Sequence, residues 1–108
     1  MKKELELYEL VLLLNLMSTE QDTTNKIEFY RDFLVEKGSQ VMVKNHGKVS
    51  LAYPIKGVDA ATSIQIVYLG NGNLVKQLNT EIQRDESILR ALTTKLKDQN
   101  VVEIFSKS

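Results

Sequence analysis

Leu5 and Leu7 alternate with Glu4 and Glu6, and from Leu10 to Leu14 the apolar positions become continuous. This is the pattern of a strand entering the centre of a sheet, so a first strand is predicted over residues 5–16. Ser18-Thr19-Glu20-Gln21 then reads as a capping box, with the Ser18 side chain accepting from the third amide and Gln21 reaching back. Asp22 adds negative charge where the helix dipole favours it. Ile27, Tyr30, Phe33 and Leu34 recur on one face, flanked by Phe29, until Gly38 offers a left-handed terminus. A helix is predicted over residues 19–37.

From Gln40 the chain is again β-branched, through Val41 and Val43, and it resumes after Asn45-His46-Gly47 with Val49, Leu51 and Tyr53 up to Pro54. The glycine inside this run predicts a bulge, and the terminal proline confines the strand to an edge or an end. Lys56-Gly57-Val58-Asp59 reads as a hairpin loop. Beyond it, residues 62–69 alternate Ile64, Ile66 and Tyr68 against Ser63, Gln65 and Val67 as a third strand. Gly70-Asn71-Gly72-Asn73 is a turn with an asparagine cap, and Val75, Leu78 and Ile82 follow at helical spacing.

The rest of the pattern permits two readings. Val75, Leu78, Ile82, Leu89, Leu92 and Leu96 fit a heptad seam broken only at Asp85, which allows one long helix. Such a helix would leave three strands short of apolar partners, whereas residues 88–96, with β-branched Thr93 and Thr94, can form a fourth strand. The strand is preferred. Strict alternation would then put Ile88, Arg90, Leu92, Thr94 and Leu96 on one face and Leu89, Ala91, Thr93 and Lys95 on the other. The result is β-α-β-β-α-β, an α+β ferredoxin-like unit: a four-stranded antiparallel sheet with two helices on one face.

Composition narrows the function. The 108 residues suit a single domain, and 43% hydrophobic with 26% charged residues describe a globular chain that buries roughly two-thirds of its surface. Fourteen basic residues balance fourteen acidic ones, so no overall field draws the protein to a polyanion and any nucleic-acid role rests on local patches. The absence of cysteine excludes a disulfide framework, a thiol nucleophile and a thiolate metal site. The longest apolar run, Leu10 to Leu14, is far short of the ~20 residues of a membrane helix, so no membrane role is expected. The start at Met1 resembles neither a signal nor a transit peptide, and the mature chain is expected to begin near it.

Enzyme templates fail. With one histidine, no cysteine and no serine in a nucleophile-elbow setting, neither a catalytic triad nor a three-histidine metal site can be assembled. His46 reads as a solvated turn residue. Gly70-Asn71-Gly72 lacks the third glycine and the downstream acid of a dinucleotide loop. Asp85-Glu86 ends the second helix or opens a loop rather than binding a metal. No catalytic residue, metal ligand, cofactor or small-molecule substrate is assigned.

The stretch Gly47-Lys48-Val49-Ser50-Leu51-Ala52-Tyr53-Pro54-Ile55-Lys56 is more specific. It resembles the motif of the bacterial-type ribosomal protein six of the small subunit: a glycine, one or two basic residues, then Leu-Ala-Tyr-Pro-Ile. Tyr8-Glu9 is similar to that family's Tyr-Glu in strand one. Asp85-Glu86-Ser87-Ile88-Leu89-Arg90 is similar to the opening of its last strand, and Gly70-Asn71-Gly72-Asn73 to the turn of cyanobacterial and plastid members. The resemblance spans residues 7–96. It implies a non-catalytic ferredoxin-like domain that pairs with ribosomal protein eighteen and binds the central domain of small-subunit ribosomal RNA. It also favours the fourth strand over the long helix. The chain departs from the pattern where Val49 and Ser50 follow Lys48 in place of further basic residues, and where Thr62 or Ser63 replaces an early aromatic in strand three. Both departures imply weaker direct RNA affinity.

Within that reading Lys48, Lys56 and Arg90 are the leading phosphate contacts, and Lys2, Lys3, Lys95 and Lys97, at the sheet ends, extend the same surface. Tyr53, beside Leu51 and Pro54, is expected to pack in or near the core, with base stacking as the less favoured alternative. The domain is expected over residues 1–96, with 97–108 a C-terminal extension whose Val101, Val102, Ile104 and Phe105 suit docking. The turn resemblance points to the plastid stroma, with the bacterial cytoplasm as the alternative. Two other functions fit the same fold: a regulatory or ligand-binding domain that dimerises through its open sheet face, and an acylphosphatase-type enzyme. The second needs an arginine in a glycine-rich anion loop after strand one, where this chain has Asn15-Leu16-Met17-Ser18.

Overall fold

In the computed structural model, residues 5–17 and 19–96 are described. They form β1 (Glu6–Leu14), α1 (Glu20–Glu36), β2 (Val41–Ile55), β3 (Val58–Gly70), α2 (Gly72–Gln83) and β4 (Ile88–Leu96). The strands make one antiparallel sheet in the order β2-β3-β1-β4. The most apolar strand, β1, is central, as its continuous leucine run requires. The long helix over residues 75–96 does not form, because α2 stops at Gln83 and β4 pairs with β1 from Leu7 to Leu14.

Cross-strand pairs sort the two sheet faces. Leu10 opposite Ile66 and Leu12 opposite Ile64 point, with Leu14 and Tyr68, into the main core, where Tyr30 and Leu34 of α1 and Leu74, Leu78 and Ile82 of α2 meet them. Both helices therefore cover one face. On the other face Leu7 and Val67 are buried, Val11 and Leu13 are half-buried, and Leu92 is 61% exposed.

Local chemistry ends each helix. Thr19, not Ser18, is the N-cap of α1, its hydroxyl accepting from the Asp22 amide at 3.1 Å. Gln21 does not reach back but donates to Asn25 at 2.9 Å, and Ser18 lies outside the described residues. At the C-terminus Gly38 takes φ +89°, the Gly38 amide donates to the Val35 carbonyl and the Ser39 amide to that of Leu34, a complete Schellman pairing. Asn71 caps α2, accepting from the Leu74 amide at 2.9 Å. Gly70 precedes it, and a Cβ there would stand 2.7 Å from Leu74 Cδ2, so the Leu74 side chain would have to shift.

Two boundaries differ from expectation. The hairpin loop is only Lys56-Gly57, both at positive φ (51° and 84°), and β3 begins at Val58 rather than Thr62. This is the geometry of a two-residue primed turn, whose twist matches the paired strands. In β4 the register shifts so that Arg90 faces Leu13 while Ile88 faces Leu14, leaving Leu89 as the extra residue. Ile88 consequently joins the core beneath the helices rather than sharing a face with Arg90 and Leu92.

Candidate nucleic-acid interface

β2 and β3 outrun the sheet. β1 ends opposite Thr62, so the remainder of the hairpin forms an arm beyond its neighbours. Two irregularities shape β2. Asn45 pairs with Ile64 and Gly47 with Ser63, so His46 is extra, as the Asn-His-Gly signal predicts. Gly47 sits at φ +82°, and its amide donates to the Asn45 side chain at 2.8 Å. Farther on, Ser50 pairs with Ala60 and Ile55 with Val58, so Leu51, Ala52, Tyr53 and Pro54 together face the single residue Asp59. This large bulge turns Tyr53 outward to 82% exposure and corrects the expectation that it packs in or near the core. Leu51 and Ile55 are half-buried and anchor the bulge at both ends.

The arm's tip brings two of the sequence-selected cations together. Lys56, from the turn, and Arg90, from the start of β4, line one groove of about 520 Å³ with the C-terminal end of α2. Lys48 lies apart, in a separate groove of about 500 Å³ beside Thr19 and Glu20 at the start of α1. Lys48, Lys56 and Arg90 are exposed and form no ion pair among the described residues. Lys95 is engaged, with its Nζ 2.9 Å from Glu6. Lys2, Lys3 and Lys97 lie outside the described residues.

Tyr8 and Glu9 do different work. Tyr8 stacks on Tyr68 at 5.7 Å and donates weakly to Glu6 at 3.3 Å; burial and the adjacent Glu6 carboxylate push its hydroxyl above the usual range. Glu9 closes a chain of hydrogen bonds across the sheet that the sequence reading missed. Gln65 Nε2 donates to Glu9 at 2.6 Å, which leaves the Gln65 oxygen, 2.9 Å from His46 Nε2, to accept from the imidazole. The bulge at His46 is the only local signal for it.

Asp85 is a structural centre, in line with its reading as a residue that opens a loop. It accepts from Tyr30 Oη at 2.6 Å and from Ser87 Oγ at 2.6 Å, and Lys26 Nζ lies 2.8 Å away. Burial alone would raise its carboxyl, but these donors outweigh burial and hold it at about 2. Among the described residues no group of three or more potential ligands could hold a metal ion, and no helix is long and apolar enough to cross a membrane. What this end of the molecule offers is a groove lined by two cations and the outward Tyr53 ring.

Residues 7–95 match the family model described as Ribosomal protein S6. The chain is 38% identical over 94 residues to the small ribosomal subunit protein bS6 of Gloeothece citriformis, covering 85% of this chain and 53% of that protein, so it spans about half the length of that relative. It is 34% identical over 92 residues to the small ribosomal subunit protein bS6c of Guillardia theta, covering 84% of this chain and 96% of that one. The crystal structure of 30S ribosomal protein S6 from Thermotoga maritima aligns with a TM-score of 0.83 at 19% identity, over 97% of this chain and 100% of that one, a likeness of fold. With the strand order and the Leu-Ala-Tyr-Pro-Ile bulge in place, the chain belongs to the ribosomal protein S6 family, non-enzymatic structural components of the small ribosomal subunit.

Proposed function

We propose that this protein holds a junction in the central domain of small-subunit ribosomal RNA in its folded geometry, acting together with ribosomal protein eighteen. The observation that carries this reading is the meeting of Lys56 and Arg90, distant in sequence, in one groove where neither is neutralised by an acidic partner among the described residues. Lys48 adds a second phosphate contact nearer the sheet edge, and Lys2, Lys3, Lys95 and Lys97 extend the surface in this reading. The sheet face opposite the helices, where Leu92 is exposed, offers apolar area to the protein partner. The domain is residues 1–96, with residues 97–108 an extension whose apolar side chains add partner contact. The bS6c relatives support a plastid ribosome as its place of work, while the cyanobacterial ones fit the alternative, a ribosome of the bacterial cytoplasm.

With zero net charge and few free cations, the isolated chain binds RNA weakly, each phosphate contact adding about 0.7–0.9 to the log-log salt slope. The test is binding of a central-domain transcript across a salt series, with and without ribosomal protein eighteen, joined to co-sedimentation of tagged protein with small subunits after a high-salt wash. The expected result is weak, shallow-sloped binding that the partner strengthens, and retention on subunits. A tagged chain found only in the unbound fraction overturns the reading, as does sub-nanomolar binding by the chain alone.

A further inference from the structure

Tyr53 stands out among the described side chains because its exposure is built in rather than incidental. It is the most exposed large apolar side chain among the described residues, at 82%. It is thrust out by a bulge in which four residues answer one, and such a bulge gives up ladder hydrogen bonds that a regular hairpin would make. Pro54 follows it directly, confining the Tyr53 backbone to the extended region and removing one amide from the strand edge. The ring is therefore carried on a stiffened backbone segment, flanked by half-buried Leu51 and Ile55, so less backbone freedom is lost on contact. Three residues later the chain reaches Lys56, which shares its groove with Arg90. Glu86 also lines that groove, while Asp85 is occupied by Lys26, Tyr30 and Ser87.

We propose that Tyr53 is a stacking platform for an unpaired RNA base, with Lys56 and Arg90 holding the phosphates beside that base. An outward aromatic ring three residues along the chain from a cation-lined groove matches the two-part chemistry of a single-stranded nucleotide, a π-face joined to an anion. A protein partner is the competing occupant, because exposed apolar Ala52 and Pro54 flank the ring; what favours the nucleotide is the groove of Lys56 and Arg90, cations with no acidic partner among the described residues. The proposal rests on the RNA-binding reading above.

The experiment uses the full chain with ribosomal protein eighteen and a central-domain transcript. Tyr53→Ala and Tyr53→Leu should each weaken binding about tenfold with an unchanged salt slope, whereas Tyr53→Phe should retain it. Lys56→Gln should lower the slope by about 0.7–0.9. The chain contains no tryptophan, so Tyr53→Trp supplies a lone indole whose fluorescence the transcript should quench. If wild type binds the transcript and the Ala and Leu variants bind equally well, or the indole is not quenched, stacking is overturned while RNA binding stands. If Tyr53→Leu retains affinity where Tyr53→Ala loses it, the contact is simple apolar packing and the proposal fails. If Tyr53→Ala loses ribosomal protein eighteen without the transcript present, the ring is a protein anchor and the proposal fails. If wild type does not bind the transcript at all, the RNA-binding reading falls and the stacking proposal falls with it.

Discussion

Tyr30 on α1 donates its hydroxyl to Asp85, in the turn between α2 and β4, at 2.6 Å. The contact ties the first helix to the entry of the last strand. Asp85 is held at about 2, below its ordinary 3.8, so its carboxylate contributes stability that is fully present above pH 3.8 and is lost as pH falls through 2. A shift of this size corresponds to about 2 kcal/mol. Urea titrations at pH 7, 4 and 2 should show that loss in the wild type. Asp85→Asn should be less stable at pH 7 by a similar amount and should lose less on acidification. An unchanged acid limb in the variant would place the pH dependence elsewhere.

Tyr68 is fully buried and its hydroxyl has no hydrogen-bond partner, the one such side-chain atom found among the described residues. Burial, and to a lesser degree Tyr8, push it up to about 12. Leaving a hydroxyl unsatisfied costs about 1–3 kcal/mol, so Tyr68→Phe should be neutral or stabilising by about 1 kcal/mol in urea melts at pH 7. The raised value means that stability is present below pH 10 and is lost as pH rises towards 12, because the unfolded chain ionises first. Tyr68→Phe should flatten that alkaline limb.

Gly70 lies in close approach to the Leu74 side chain. Its added Cβ would lie 2.7 Å from Leu74 Cδ2 and 3.5 Å from Leu74 Cβ, and Leu74 is buried in the core. Gly70→Ala should cost about 1–3 kcal/mol through overpacking. Gly57 has open space around it but φ +84°, so Gly57→Ala should cost about 1 kcal/mol through backbone strain. Combining Gly70→Ala with Leu74→Ala should relieve the clash: a double-mutant cycle should report coupling for this pair and additivity for Gly57 with Leu74.

Much of this fold is legible in the sequence because its signals are local. The leucine run places β1 at the sheet centre, Asn71 starts α2 and Gly38 ends α1, each through a neighbour within a few residues. What escaped is set by distant partners. The bulge carrying Tyr53 has no glycine to announce it and exists only as a mismatch in count against Asp59. Val58 reads as loop because its strand character comes from pairing with Ile55 of β2, and Asp59 because it is held between two paired residues opposite the bulge. The Lys56 and Arg90 groove requires the hairpin tip to meet β4, and the Tyr30 to Asp85 bond spans 55 positions. Periodicity carries no information about such closures.

Lys48 tests the proposed RNA contact separately from stability. It is exposed and unpaired among the described residues, in a position apart from the Lys56 groove. Lys48→Glu should weaken binding to the central-domain transcript while shifting folding stability by no more than about 0.5 kcal/mol. Filter binding and thermal melting on the same preparation decide it. A marked shift in melting with intact RNA affinity would make Lys48 a structural residue.

The register shift in β4 yields the sharpest test of the architecture. Strict alternation groups Ile88 with Leu92, whereas a heptad helix groups Leu89 with Leu92. The structure instead separates all three. Ile88 is buried beneath the helices opposite Leu14, Leu89 is the extra residue at the bulge and is buried outside the main core cluster, and Leu92 is 61% exposed opposite Val11. Ile88→Ala should therefore cost about 2–4 kcal/mol, since it empties a packed position under α2. Leu92→Ala, on the other face, should fall within about 0.5 kcal/mol in the isolated chain. Introduced charge exaggerates the contrast: Ile88→Asp should abolish folding or come close to it, and Leu92→Asp should be tolerated. Equal costs at Ile88 and Leu92 would restore strict alternation and remove the bulge. Equal costs at Leu89 and Leu92, with a far-UV spectrum more helical than α1 and α2 supply, would restore the long helix instead. Loss of ribosomal protein eighteen binding by a stable Leu92→Asp chain would locate the partner on this face.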